Sequence, residues 1–169
     1  LRALKKLRFA LLLPAYNEER VIRYSVESLL KIKYPGELFD VFVVADHCGD
    51  GTASIAANLG VTVLDYSFPA LKAGKGRALK WASDKILAMG KYDALCYFDA
   101  DSLAHPDFLE AMNNHFNAGA EAAQGRQLAK NENCQLARIL SAGHIITNRF
   151  FQRPKQAFGL SATLHGKGM

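Results

Sequence analysis

Apolar residues along this chain fall into two alternating patterns. Short continuous runs of Leu, Val and Phe read as strands covered on both faces, and runs with apolar residues every three or four positions read as amphipathic helices. Residues 8–13 predict the first strand, with Pro14 as its end. Asn17 stands where a helix cap belongs, and Glu18 and Glu19 suit the first turn of a helix burying Val21, Ile22, Val26, Leu29 and Leu30. Tyr34-Pro35-Gly36 stops it. Residues 39–45 predict a second strand, and Asp50 the cap of a short helix from about Thr52 to the stop at Gly60. Residues 61–64 predict a third strand. Gly74-Lys75-Gly76 opens a helix burying Ala78, Leu79, Ala82, Ile86 and Met89, which Gly90 ends.

Residues 92–98 predict a fourth strand, leading into Asp99-Ala100-Asp101. Pro106 opens a helix with Phe108, Leu109, Met112 and Phe116 on one face. Residues 121–128 predict a fifth strand. A last helix would bury Leu136, Ile139, Leu140, Gly143, Ile146 and Phe150. Strands alternating with helices predict right-handed βαβ units, hence an α/β fold with a mainly parallel sheet flanked by helices. Such sheets bind ligands beyond the carboxyl ends of their strands, near the point where strand order reverses. The unusual polar clusters fall at those ends: Tyr16-Asn17-Glu18, residues 46–50, and Asp99 with Asp101.

Composition narrows the class. The chain has 169 residues, enough for one domain, and its 50% hydrophobic and 22% charged residues exclude a disordered tail or a fibre. Lys+Arg of 21 against Asp+Glu of 16 leaves +5, which suits an anionic partner and is too little to argue for nucleic acid. Cys48, Cys96 and Cys134 form no CxxC, which predicts a reducing compartment. No apolar run approaches the ~20 residues of a membrane span. The chain opens at Leu1 and stops at Met169 inside a glycine-rich phrase. We therefore expect a piece of a longer protein, a single domain over residues 1–169 that meets a membrane only through segments outside this chain.

Asp99 and Asp101 are two apart at a strand end, so their carboxylates share a side. Such a pair repels itself, and a hard cation such as Mg²⁺ or Mn²⁺ relieves the repulsion while leaving positions for phosphate. The alternative is a turn in which Asp101 or Ser102 caps the next helix. Asp46 could accept from a base N–H or a ribose hydroxyl, whereas Asp50 reads more simply as a cap. His47 and Cys48 are adjacent, with no second pair at ligand spacing, and read as packed or solvent-facing. Residues 74–77 resemble a phosphate loop, but Gly76 follows Lys75 where Ser or Thr is needed. Leu79 breaks GxGxxG, and residues 14–18 hold no glycine, which disfavours NAD. Lys75 and Arg77 at a helix N-terminus could meet a diphosphate, or belong to a solvated loop. Arg126 in an apolar strand would need a carboxylate or a phosphate.

These segments together resemble the family-2 inverting glycosyltransferases. Pro14-Ala15-Tyr16-Asn17-Glu18-Glu19 resembles that family's opening motif, residues 46–52 its second motif, Lys75-Gly76-Arg77-Ala78-Leu79 its lysine segment and Phe98-Asp99-Ala100-Asp101 its DxD. Gln124-Gly125-Arg126 and residues 164–169, Gly166 among them, resemble later segments on the donor-sugar side. Ala45 stands where the family often has a first Asp, and His47 where a small or acidic residue is common.

The resemblance implies a GT-A fold, Rossmann-like and truncated before the acceptor half. It implies a UDP-linked sugar donor and a saccharide or lipid-linked acceptor, with transfer at the cytoplasmic face of a membrane. Asp46 would face uracil, and residues 14–18 would wall the nucleoside. Lys75, Arg77, Asp99 and Ala100 would lie by the nucleotide, and Asp99 and Asp101 would hold Mg²⁺ or Mn²⁺. The family's catalytic base lies downstream of the glycine segment, beyond Met169, so the chain alone is expected to bind donor with little or no turnover. Two rivals are a sugar-phosphate nucleotidyltransferase, which would need a glycine-rich loop after the first strand, and a non-catalytic, degenerate domain.

Overall fold

The computed structural model describes residues 5–68, 72–126, 135–147, 150 and 155. Its elements in chain order are β1 (Phe9–Ala15), α1 (Ile22–Leu30), a 3₁₀ turn (Gly36–Leu38), β2 (Phe39–Asp46), α2 (Thr52–Asn58), β3 (Thr62–Tyr66), α3 (Lys75–Leu87), β4 (Ala94–Tyr97), α4 (Phe108–Asn117) and α5 (Gln135–Ile146). The four strands form one parallel sheet in the order β3-β2-β1-β4.

The apolar run of β1 explains its place at the centre. All seven of its residues are buried, and alternate side chains feed two separate cores. Phe9, Leu11, Leu13 and Ala15 meet α1 and α4 through Ile22, Val26, Leu29, Leu109 and Met112. Ala10 and Leu12 meet α3 on the opposite face through Ala78, Ala82 and Ile86. Fully burying a Leu or Ile side chain contributes roughly 1.5–3 kcal/mol, so β1 is the structural axis.

The connections from β1 to β2 to β3 step one way along the sheet, and α3 then carries the chain back across to β4, on the far side of β1. Strand order therefore reverses between β1 and β4. Pro14 shapes this point differently from the expected terminator. Pairing with β2 continues through Pro14↔Val44 to Ala15↔Ala45, while pairing with β4 stops at Leu12↔Tyr97. The Phe98 N–H donates to Leu12 O (2.9 Å), so Leu12 faces β4, and Pro14, two residues on, faces the same way. Proline has no N–H to offer there. One ladder ends while the other runs on, and the seam between β1 and β4 opens at its carboxyl end.

Two further expectations differ from the structure. Asn17 does not cap α1, which starts five residues later. It adopts a left-handed backbone (φ 54°), tolerated by Asn, and its Oδ1 accepts from the Gly49 N–H (2.8 Å). Residues 121–126 form no strand, and Arg126 is exposed rather than held in a sheet. Residues 127 and 128 lie outside the described set.

Candidate functional site

A cavity of ≈ 560 Å³ opens at the reversal point. The end of β1 and its loop supply Pro14, Ala15, Tyr16 and Glu18, and β2 supplies Asp46. The approach to α3 supplies Ala73, Gly74 and Lys75, and the turn after β4 supplies Asp99, Ala100 and Asp101. Nine residues singled out from the sequence thus meet in one place, while Asn17 and Arg77 do not line it. The Arg77 guanidinium turns back onto its own loop, donating to Lys72 O (2.7 Å) and Ala73 O (3.2 Å). Gln124, Gly125 and Arg126 follow α4 without lining the cavity. Gly166 lies outside the described residues.

One wall is a clasp between the β1–α1 and β2–α2 loops. The Glu18 N–H donates to Thr52 Oγ1 (2.8 Å) and the Glu19 N–H to Asp50 (3.2 Å). In return the Gly51 N–H donates to Glu19 Oε2 (2.9 Å), beside the Gly49–Asn17 bond. Cys48 Sγ donates to Ala15 O (3.3 Å). Asp50 also accepts from the Thr52 N–H (3.0 Å) at the start of α2. Burial would raise its pKa, but the Thr52 hydroxyl and the N–H groups of Thr52 and Glu19 outweigh it and hold the carboxyl below its ordinary value.

Asp46 joins this wall to the next. It is 3% exposed; its Oδ1 meets His47 Nδ1 (2.8 Å) and its Oδ2 accepts from the Gly74 N–H (2.7 Å) at the entry to α3. His47, another left-handed residue (φ 51°), also reaches Phe68 O through Nε2 (3.2 Å) and packs edge-on against Tyr66. Tyr66, Phe68 and Trp81 pack against one another with centroids 5.2–5.8 Å apart, steadying the chain on either side of α3's approach.

The opposite wall is ionic. Lys75 pairs with Asp99, and Asp101 is exposed at the rim. Two serines that the sequence reading passed over hold this turn. Ser25 Oγ, fully buried, donates to Ala100 O (2.6 Å), and the Ala104 N–H donates to Ser28 Oγ (3.0 Å). Their signal was a pair of hydroxyls three apart on an otherwise apolar helix face. Among the described residues, Glu18, Asp46, Asp99 and Asp101 set four carboxylates against the ammonium of Lys75, so the described lining sums to −3. Such a lining repels an anion unless a cation accompanies it.

Asp99 and Asp101 are the residues that could hold a hard divalent cation, which takes carboxylate oxygens. Both line the cavity, and the described residues contain no cluster of three or more His, Cys, Asp or Glu able to hold a metal; a cation held by two carboxylates keeps positions for phosphate oxygens and water. Cys48 and Cys96 are the cysteines among the described residues, and both are free thiols. Burial pushes the Cys96 thiol up to about 12 and raises that of Cys48.

Residues 7–169 match the model of the family described as glycosyltransferase-like family 2. The chain belongs to this family. Among its relatives is the beta-monoglucosyldiacylglycerol synthase of Synechocystis sp., 28% identical over 94% of this chain and 33% of that protein. Glycosyltransferase AglD of Haloferax volcanii is 32% identical over 69% of this chain and 19% of that protein. The chain thus spans about a third or less of these relatives' lengths.

Among solved structures, glucosyl-3-phosphoglycerate synthase from Mycobacterium tuberculosis in complex with UDP superposes with a TM-score of 0.57, at 24% identity over 96% of this chain and 56% of that one. The Pyrobaculum calidifontis mannosyltransferase PcManGT, in complex with GDP-Man and Mn²⁺, gives 0.53, at 22% identity over 72% and 34%. These likenesses establish the fold: the parallel sheet and its helices are those of GT-A glycosyltransferases.

Proposed function

We propose that this family-2 glycosyltransferase domain binds the nucleoside diphosphate of a nucleotide-sugar donor, UDP-linked, with Mg²⁺ or Mn²⁺, for transfer of the sugar to an acceptor hydroxyl with inversion. The observation that carries this reading is the cavity at the β1–β4 reversal, where a net acidic lining meets an N-terminal helix turn bearing Lys75. An anionic diphosphate enters such a site with a cation. Asp99 and Asp101 are the residues to hold it, and when bound it supplies charge neutralisation for the departing diphosphate.

The chain's own residues do the positioning. Tyr16, 56% exposed at the mouth, offers a ring face to a base. Asp46 uses one lone pair on each oxygen internally and keeps others for a base N–H or ribose hydroxyl. Lys75 can meet diphosphate oxygens from the start of α3.

The relatives' names include a beta-monoglucosyldiacylglycerol synthase, which supports a lipid-linked or saccharide acceptor; transfer at the cytoplasmic face of a membrane is part of the same proposal. No helix among the described residues is long and apolar enough to cross one. Isothermal titration with UDP tests the reading. We expect binding in Mn²⁺ that disappears in EDTA and in Asp101→Asn. Binding indifferent to both would refute it.

A further inference from the structure

Lys75 occupies a position that its charge does not favour. It is the first residue of α3, where the positive end of the helix dipole opposes cations. Arg77 follows in the same turn, and that turn contains no acid. The charge is answered from another element, because the Lys75 ammonium pairs with the Asp99 carboxylate at the end of β4. The partners are unequal: the Asp99 side chain is 14% exposed and that of Lys75 is 53% exposed. The carboxylate is fixed in the turn that Ser25 anchors, whereas the ammonium sits on a flexible four-carbon stem reaching into the cavity. Arg77 is held by the carbonyls of residues 72 and 73, so among the described lining residues Lys75 is the cation that faces both the acids and any anion entering.

We propose that Lys75 is a resident counter-ion, whose ammonium holds Asp99 in the unliganded domain and is displaced when a divalent cation and a diphosphate enter together. This rests on the donor-site reading above and adds its control. A free cation must compete with the ammonium for Asp99 and binds weakly. When a diphosphate arrives with it, the ammonium gains a new anionic partner and the competition disappears. Cation and nucleotide are therefore coupled, each raising the other's affinity by one and the same factor. The sign is unusual, since deleting a residue of a nucleotide site should improve metal binding.

The test is titration of the whole chain with Mn²⁺, followed by electron paramagnetic resonance, with and without UDP. Lys75→Met should bind Mn²⁺ alone about five- to tenfold more tightly than the parent. The enhancement that UDP gives to Mn²⁺ binding should shrink by the same factor. Lys75→Arg keeps the positive charge beside Asp99 and should not tighten Mn²⁺ binding over the parent. Lys80→Met removes the same charge from the exposed part of α3, where Lys80 pairs with Asp84, and should also match it. Equal or weaker Mn²⁺ binding by Lys75→Met, or no Mn²⁺ bound by any variant, overturns the proposal. If Lys75→Met tightens Mn²⁺ but UDP enhances it in no variant, the donor reading falls and the competition at Asp99 stands. If the parent binds Mn²⁺ and UDP together and Lys75→Met changes nothing, the reverse holds.

Discussion

The two walls of the cavity are held by different chemistry. Between the β1–α1 and β2–α2 loops, backbone N–H groups and short polar side chains exchange bonds in both directions. Between α3 and the turn after β4, one ammonium meets one carboxylate, with Asp101 exposed beside it. Hydrogen bonds to backbone fix a shape, because breaking them strands a polar group. An ion pair open to solvent contributes little to stability and can be exchanged for other ions. The first wall suits a ligand surface that stays constant, and the second suits partners that come and go.

Asp46 is the severest test of this contrast, since it ties the walls together. Asp46→Ala leaves the Gly74 N–H and the His47 ring without their carboxylate, and we expect a loss of about 2–3 kcal/mol in urea unfolding. A loss below ~1 kcal/mol would show that the walls are independent. Asp101→Asn should sharpen the contrast from the other side. Mn²⁺ affinity should fall about 10–100-fold, while the melting temperature stays with the parent because the side chain is exposed.

Thr52→Val keeps the shape of a fully buried residue and deletes the acceptor of the Glu18 N–H. We expect about 1–2 kcal/mol of destabilisation by the same urea assay, with Mn²⁺ affinity unchanged. The smallest effect is on acid stability. The Asp50 pKa is lower folded than unfolded, so the unfolded chain binds more protons in that window. The contribution is complete above the ordinary value of 3.8 and is lost as pH falls through the depressed folded value. Asp50→Asn should flatten the fall in stability below about pH 4, followed by circular dichroism.

The sheet was legible because β1 is a continuous apolar run, β2 carries one over residues 41–45, and the helices around them carry their period openly. The cavity's carboxylates were legible from their places at strand ends. What escaped notice depends on contacts distant in sequence. Asp46 meets Gly74 across 28 positions and Ser25 meets Ala100 across 75, and no local pattern announces either. Asn17 read as a cap because Asn commonly caps, but its side chain serves the neighbouring loop. The supposed fifth strand failed where Gln124, Gly125 and Arg126 interrupt the apolar pattern, and packing did not compensate.

Pro14 makes the mouth of the cavity a matter of covalent structure. An ordinary residue there would carry the amide hydrogen that β4 lacks, inviting that strand to lengthen alongside β1. Asp99 would then be drawn into the sheet and its carboxylate turned from solvent. A ring closed onto one nitrogen keeps the gap from zipping shut, whatever the side chains around it become.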